Sequence, residues 1–409
     1  MTLHLLYIDP ATGSMLFSII ITATATVYFL FRALFIKLKF LLSGGRIRQE
    51  TKNKFVIYAE DKRYWSLFKP VVDEFENRGI DLLYLTSSRD DPVFEAGLQK
   101  TKAEFIGEGN KAFAKLNFLS AELVLSTTPG LDVYQWKRSK TVKHYSHLLH
   151  SADEPVKYEL FGIDYYDSIL VTGGDYQASD IRKLEKIRSL PEKQVVTVGC
   201  PYLDVYAKKI ALLPQEENHV FTVLVSPSWG KSALLSKYGE ELLDPLVKTG
   251  WRVIVRPHPQ SLQVEKNIID RLSERYGENH NLEWDFNREN IVSLNKADIM
   301  ISDFSGIILD YMVLRNKPVI YVSQKMDLRP YDAHVVYKDQ EEMWTFRTLK
   351  KAGIELRPEF FNDLPGIVSK IHSDKALESA IREVKAEVWH YQGEAGKRIT
   401  DFILETVNT

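Results

Sequence analysis

Four short stretches of this chain bring together residue types that bind phosphate and move protons. The first is ISDFSGIILD, Ile301 to Asp310. Its apolar lead-in, DIMISDF, reads as a strand, and GIILDYMVLRN reads as a helix with Ile307, Ile308, Tyr311 and Leu314 on one face. Ser302, Asp303, Ser305 and Gly306 fall at the join. Ser305 is placed to cap the helix, and Gly306 allows a ligand close to the backbone. A helix start offers unpaired N–H groups and positive dipole character, which suits an anion. Asp310 lies one turn further in, within reach of a hydroxyl beside that anion. A plain N-cap explains the same serine with no ligand at all.

The second stretch, RPHPQS (256–261), follows another apolar strand. Two prolines stiffen the loop and hold Arg256 and His258 outward, where arginine grips phosphate bidentately and histidine donates to it or acts as an acid. A rigid loop with a solvated histidine is the plainer alternative. The third, SPSWGKS (226–232), ends like a Walker A loop, but the position of that motif's first glycine is Val225. A small-residue loop remains, with Ser228, Trp229 and Gly230 suited to a nucleotide or its phosphates. The fourth, KHYSHLLHSADEP (143–155), repeats histidine every third residue at His144, His147 and His150. No cysteine or carboxylate spacing of a zinc site accompanies them, so no metal is expected. His150 is the candidate general base because it precedes the small Ser151-Ala152 pair at a strand end; His147 is the reserve.

These loops need strands and helices to hold them. KFVIYAE (54–60), IDLLYLTSS (80–88), EFIG (104–107), ELVLSTTPG (122–130), SILVTGG (168–174) and QVVTVG (194–199) read as strands. Helical patterns separate them, including one near 91–100 and one near 110–120. LLPQEENHV (212–220) reads as a linker, and alternation restarts at TVLVSPS (222–228), RVIVRPH (252–258), LEWDF, DIMISDF and PVIYVS. Such alternation predicts an α/β protein with two Rossmann-like halves and parallel sheets facing a cleft. Ligands of open α/β sheets bind at the carboxyl ends of strands, and all four stretches sit at such ends.

Composition sets the limits. The chain has 409 residues and a net charge of −2, enough for two domains and far from the basic balance of nucleic-acid binders, so no nucleic acid is expected. A lone Cys200 excludes an internal disulfide and suits a reducing compartment. No charged side chain occurs between Pro10 and Phe31, and Arg32, Lys37, Lys39, Arg46 and Arg48 follow. A membrane helix needs about 20 apolar residues. The run is therefore expected to be an N-terminal membrane helix with the rest of the chain on the cytoplasmic side. A helix lying in the interface is the alternative reading, favoured by Thr22, Thr24 and Thr26.

RPHP at 256–259, ADIMISDFSG at 297–306, Asp310 and KPVIYV at 317–322 together resemble the CDP-glycerol glycerophosphotransferase family, the enzymes of teichoic-acid-type polymers. The first half is similar to it more loosely, through HSADEP, FGIDYYDSILVTGG and VTVGCPYLD. Two departures stand out: Gly306 replaces the second serine of the family's Ser-Ser pair, and Ser-Ala follows His150 where the polymerases carry His-Gly-Thr-Pro.

The resemblance implies the two-domain GT-B architecture. With the apolar run and the linker, the expected division is residues 1–45 as membrane anchor and basic flank, 46–212 as acceptor domain, 213–375 as nucleotide-donor domain, and 376–409 as C-terminal helices. The resemblance implies transfer of glycerol phosphate from CDP-glycerol to a hydroxyl of a membrane-linked glycan or lipid acceptor, releasing CMP, with no cofactor. His150 and His258 would be catalytic. Arg256, Ser302, Asp303, Ser305, Gly306, Asp310, Ser228, Trp229 and Gly230 would bind the donor. The expected location is the cell inner membrane, catalytic domains on the cytoplasmic side. Two rivals stay open: a GT-B glycosyltransferase or epimerase acting on a UDP-sugar, and a membrane-anchored binding protein without catalysis.

Overall fold

The computed structural model describes residues 53–214, 220–287, 289–371 and 374–408, together with Thr24, Val27 and Phe31. The expected membrane helix within residues 10–31 lies almost wholly outside these. Among the described residues no helix is long and apolar enough to cross a membrane.

Residues 53–409 form one compact unit built on two sheets. The first contains β1 (Asn53–Ala59), β2 (Leu82–Thr86), β3 (Thr101–Phe105), β4 (Ala121–Ser126), β5 (Val142–Leu148), β6 (Ser168–Val171) and β7 (Gln194–Thr197). Their order in space is β3-β2-β1-β4-β5-β6-β7. The second contains β8 (Thr222–Val225), β9 (Arg252–Val255), β10 (Leu282–Trp284), β11 (Ile299–Ser302), β12 (Val319–Tyr321) and β13 (Gly353–Glu355), ordered β10-β9-β8-β11-β12-β13. Neighbouring strands pair in parallel in both sheets. This follows from strands such as FVIYA and VLV, apolar on both faces, which need helices above and below. Chain direction reverses its progress across each sheet once, between β1 and β4 and between β8 and β11. Those switch points open crevices at the strands' carboxyl ends.

Three elements differ from expectation. The pattern near 91–100 yields only a short 3-10 turn, Pro92–Glu95, because Asp91 caps it and a loop then leads to β3 at Thr101. β5 carries the polar sequence VKHYSHL, which hides its strand character, and β13 is only three residues long.

The chain also returns to its beginning. Ala333, Tyr337, Met343 and Phe346 join the core beneath the first sheet. The last helix, Ala395–Asn408, belongs to the core that also holds the helix Trp65–Asn77 through Ile399, Phe402 and Ile403. Two glycines make the crossing possible. A Cβ at Gly173 would fall 2.4 Å from the Glu387 carbonyl, and one at Gly199 (φ +90°) would fall 2.7 Å from that of His390. Asp204 then fixes the crossing strand of chain, accepting from Trp389 Nε1 at 2.8 Å and from the Gly393 N–H at 2.7 Å.

Candidate active site

The second sheet's switch point is held together by Asp303. Its Oδ1 accepts from the backbone N–H of Ser228 (2.8 Å) and of Phe304 (2.7 Å). Its Oδ2 accepts from Ser228 Oγ (3.0 Å) and the Leu234 N–H (2.9 Å). Four donors occupy the buried carboxylate, so Asp303 ties the loop after β8 to the loop after β11 and has nothing left for a ligand. Ser302 is equally committed, donating to the Ser226 carbonyl at 2.6 Å. The donor-binding roles expected for Ser228, Ser302 and Asp303 therefore become positioning roles. What they position is the exposed Trp229 and the half-buried turn at Gly230, whose φ of +97° suits glycine.

Arg256 does not point outward. It is 7% exposed, and its Nη1 donates to Asp285 Oδ2 at 2.7 Å while Nη2 donates to the Asn287 carbonyl at 2.7 Å. A guanidinium just past a buried strand is drawn to the nearest buried carboxylate, because neither charge tolerates isolation there. His258, two residues on, is half-buried near Trp229, with ring centroids 6.3 Å apart. The Gln260 N–H donates to its Nδ1 at 3.1 Å, so in the neutral ring Nε2 carries the proton and is a donor. Burial, then Arg63, lower its pKa; Glu265 opposes them.

The helix Ile307–Arg315 begins at Gly306, in helical conformation (φ −60°, ψ −21°), and no side chain caps it. Ser305 thus stands one place before the cap, and its side chain does not cap the helix as expected; its carbonyl accepts from the Ile308 N–H at 3.2 Å, and that of Gly306 from the Leu309 N–H at 3.1 Å. Asp310, one turn in, accepts from the Tyr202 hydroxyl at 2.6 Å. Burial pushes its carboxyl up to about 7, with Tyr202 pulling down and Asp153 adding to the rise.

Asp153 comes from the other side. It follows β5 in the loop His150–Pro155, and a Cβ on Gly306 would lie 3.4 Å from its Oδ2. That is an ordinary van der Waals distance, so the helix start and this loop meet across the cleft. Asp153 pairs with Lys157 (2.7 Å) and accepts from Thr345 Oγ1 (2.7 Å). Its neighbour Glu154 accepts from the backbone N–H of Trp344 (2.7 Å) and Thr345 (2.9 Å), at the start of the helix Trp344–Ala352. Two acidic residues thus clasp a positive helix end and fix the loop.

The three histidines part company. His144 Nε2 lies 2.9 Å from Ser168 Oγ, and its ring faces Phe402 of the last helix. His147 is fully buried in β5, its Nε2 3.1 Å from the Tyr158 hydroxyl. His150 lies beyond the strand, its Nδ1 2.9 Å from the same hydroxyl and its ring 5.6 Å from that of Tyr64. Burial lowers His147 to about 3, helped by His150. Burial and then Arg63 lower His150 to about 4, against Asp153. Both rings are neutral at physiological pH. Among the described residues, no group of His, Cys, Asp or Glu is placed to hold a metal ion.

Sequence reading missed Arg63, which acts electrostatically on both His150 and His258, and Tyr158, which joins two histidines. Arg63 sits in a charged run just past the carboxyl end of β1, a position that is itself a signal in parallel sheets. Tyr158 has no such signal, since only folding brings it beneath β5.

A family model described as CDP-Glycerol:Poly(glycerophosphate) glycerophosphotransferase matches residues 167–405. Among solved structures, the chain is similar to the wall teichoic acid polymerase TagF, with 14% identity and a TM-score of 0.57 over 92% of this chain and 97% of that one. A glycosyltransferase from Rickettsia africae ESF-5 is similar over 87% of this chain and 100% of that one, with 11% identity and a TM-score of 0.51. At such identities the likeness is one of fold. No curated protein matches the chain.

Proposed function

Because the chain belongs to the CDP-glycerol:poly(glycerophosphate) glycerophosphotransferase family and is a transferase of that kind, we propose that it moves glycerol phosphate from CDP-glycerol to a hydroxyl of a membrane-linked glycan or lipid, releasing CMP. The observation that carries this reading is the meeting of an uncapped helix start at Gly306 with the loop that follows His150. In the same set of fold relatives, a TagF structure was obtained after a CDPG soak.

The acceptor oxygen attacks the glycerol-bearing phosphorus; a new P–O bond forms as the bond to the bridging oxygen breaks, and CMP leaves with that electron pair. Catalysis of this kind is mostly positioning and charge stabilisation. The N–H groups of Gly306 and Ile307 at the helix start and the Nε2–H of His258 hold the diphosphate, with Arg63 supplying positive charge. His150 takes the acceptor's proton at Nε2. That requires the tautomer in which Nδ1–H donates to Tyr158 and the Tyr158 hydroxyl donates to His147 Nε2. Asp310 and Tyr202 bind a hydroxyl of the glycerol or ribose.

On the same reading the enzyme works at the cytoplasmic face of the cell inner membrane, held by the apolar run 10–31. The support for this is that run and the basic residues after it.

The test is turnover. The purified chain is incubated with CDP-glycerol and a crude membrane-lipid fraction, and products are read by mass spectrometry. Release of CMP with an acceptor heavier by glycerol phosphate units is expected. Turnover of UDP-sugars instead, or binding without turnover of any donor, rejects the reading.

A further inference from the structure

The first sheet has its own switch point, between β1 and β4, and none of the residues discussed so far fills it. A pocket of about 220 Å³ opens there. Glu60, immediately after β1, and Thr128, just after β4, line it at the two strand ends. Phe113, Tyr134, Gln135, Trp136 and Glu159 complete the polar and aromatic lining.

Its groups ask for a particular ligand. Trp136 is 2% exposed, and its indole N–H has no hydrogen-bond partner; the buried Thr128 hydroxyl likewise makes no hydrogen bond of normal geometry, although it faces Glu60. A buried donor without a partner is costly, so the site wants an acceptor atom. The indole is held rigid for this purpose, edge-on to Tyr58, Tyr145 and Tyr166 and stacked on Phe113. Glu60 and Glu159 are acceptors and repel an anion. Burial raises the Glu60 pKa, against the Thr128 hydroxyl and Arg63. Tyr134, 56% exposed, offers a ring face to C–H groups. A phosphate meets two carboxylates here, and a cation leaves the indole N–H unmet. A hydroxyl both accepts and donates, and satisfies both kinds of group.

We propose that this pocket is the acceptor subsite and that it takes an uncharged polyhydroxyl unit, glycerol or a sugar, from which the attacking hydroxyl projects. This rests on the transferase reading above. Two segments link the pocket to His150. Glu60–Tyr64 ends at the ring beside His150, and Tyr158–Gly162 begins at the hydroxyl bound to His150 Nδ1.

The experiment labels the full chain with fluorotryptophan and follows the Trp136 signal by fluorine NMR, assigned with Trp136→Phe, during titration with glycerol and with methyl β-glucoside. Choline and inorganic phosphate are the controls, and calorimetry with CDP-glycerol runs in parallel. The Trp136 signal is expected to move with the polyols alone. Glu60→Gln is expected to weaken that response about tenfold or more, the size of a lost hydrogen bond to a charged group. Tyr134→Ala, at an exposed ring, provides the same test without touching the core. CDP-glycerol affinity stays at the wild-type value in both variants. A Trp136 signal unmoved by polyols at molar concentration, in protein that binds CDP-glycerol, overturns the subsite and leaves the transferase reading standing. Movement with choline or phosphate in place of polyols also overturns it. Wild-type protein that answers polyols but binds no CDP-glycerol sinks the transferase reading instead.

Discussion

The Tyr158 hydroxyl lies 2.9 Å from Nδ1 of His150, and the same oxygen lies 3.1 Å from Nε2 of the buried His147. A hydroxyl has one proton to give, so the tautomers of the two rings are coupled through it. His150 offers a bare Nε2 to the cleft only when Tyr158 donates toward His147. Tyr158→Phe is expected to lower kcat about tenfold or more, the worth of one such hydrogen bond, with donor affinity unchanged. A fall in donor affinity with kcat intact contradicts this coupling.

His150→Ala is expected to keep CDP-glycerol affinity and lose about 100-fold in rate. The pH profile gives a second check. Burial and Arg63 hold the free ring at about 4, so kcat/KM falls only as pH drops through that region, well below the ordinary histidine value. Bound diphosphate offsets Arg63 and raises the ring's pKa, so the acid limb of kcat lies higher than that of kcat/KM. Coincident limbs near the ordinary value place the base elsewhere, with Asp153 next to test.

Arg256 and His258 are two residues apart and predict opposite phenotypes. His258→Ala removes a donor facing the cleft and is expected to weaken CDP and CDP-glycerol binding by about 1.5–3 kcal/mol, with the fold intact. Arg256→Ala strands Asp285 in a buried site and is expected to destabilise the protein by about 3–5 kcal/mol. Calorimetry and denaturant unfolding on both variants separate the roles; a stable Arg256→Ala protein that has lost only donor affinity reverses the assignment.

Asp310 carries a cost to folding. Its folded pKa, about 7, lies above the ordinary 3.8, so the folded state binds the proton more tightly than the unfolded one. Stability is therefore full below pH 3.8 and is lost as pH rises through 7. Asp310→Asn, which still accepts from Tyr202, is expected to gain about 2–4 kcal/mol above pH 7, with the gain shrinking toward zero near pH 4. It is also expected to lose activity. Equal stabilisation at both ends of that range means the carboxyl is not titrating as described.

Removal of residues 1–45 is expected to move the protein from the membrane to the soluble fraction, with thermal unfolding of the compact unit 53–409 unchanged. Recovery of the truncated chain in washed membranes shows that another surface binds the bilayer.

The sequence by itself determined the α/β alternation, the location of the polar loops at strand ends, and the family motifs in the second half. Those signals are local. An apolar run with a glycine or proline after it reads the same in any context, because strand propensity and turn chemistry act over a few residues. The tertiary structure alone decided which side chains remain available for chemistry. Asp303, Ser302 and Arg256 looked like ligand groups because they stand at strand ends. Each instead meets a buried partner from a segment far away in the chain: a backbone N–H at Leu234, a carbonyl at Ser226 and a carboxylate at Asp285. Arg63, Tyr158 and the pocket around Trp136 were silent for the converse reason. Their significance comes from neighbours contributed by other loops at the same sheet edge, and burial sets the protonation of His150 and Asp310 only after those neighbours have excluded water.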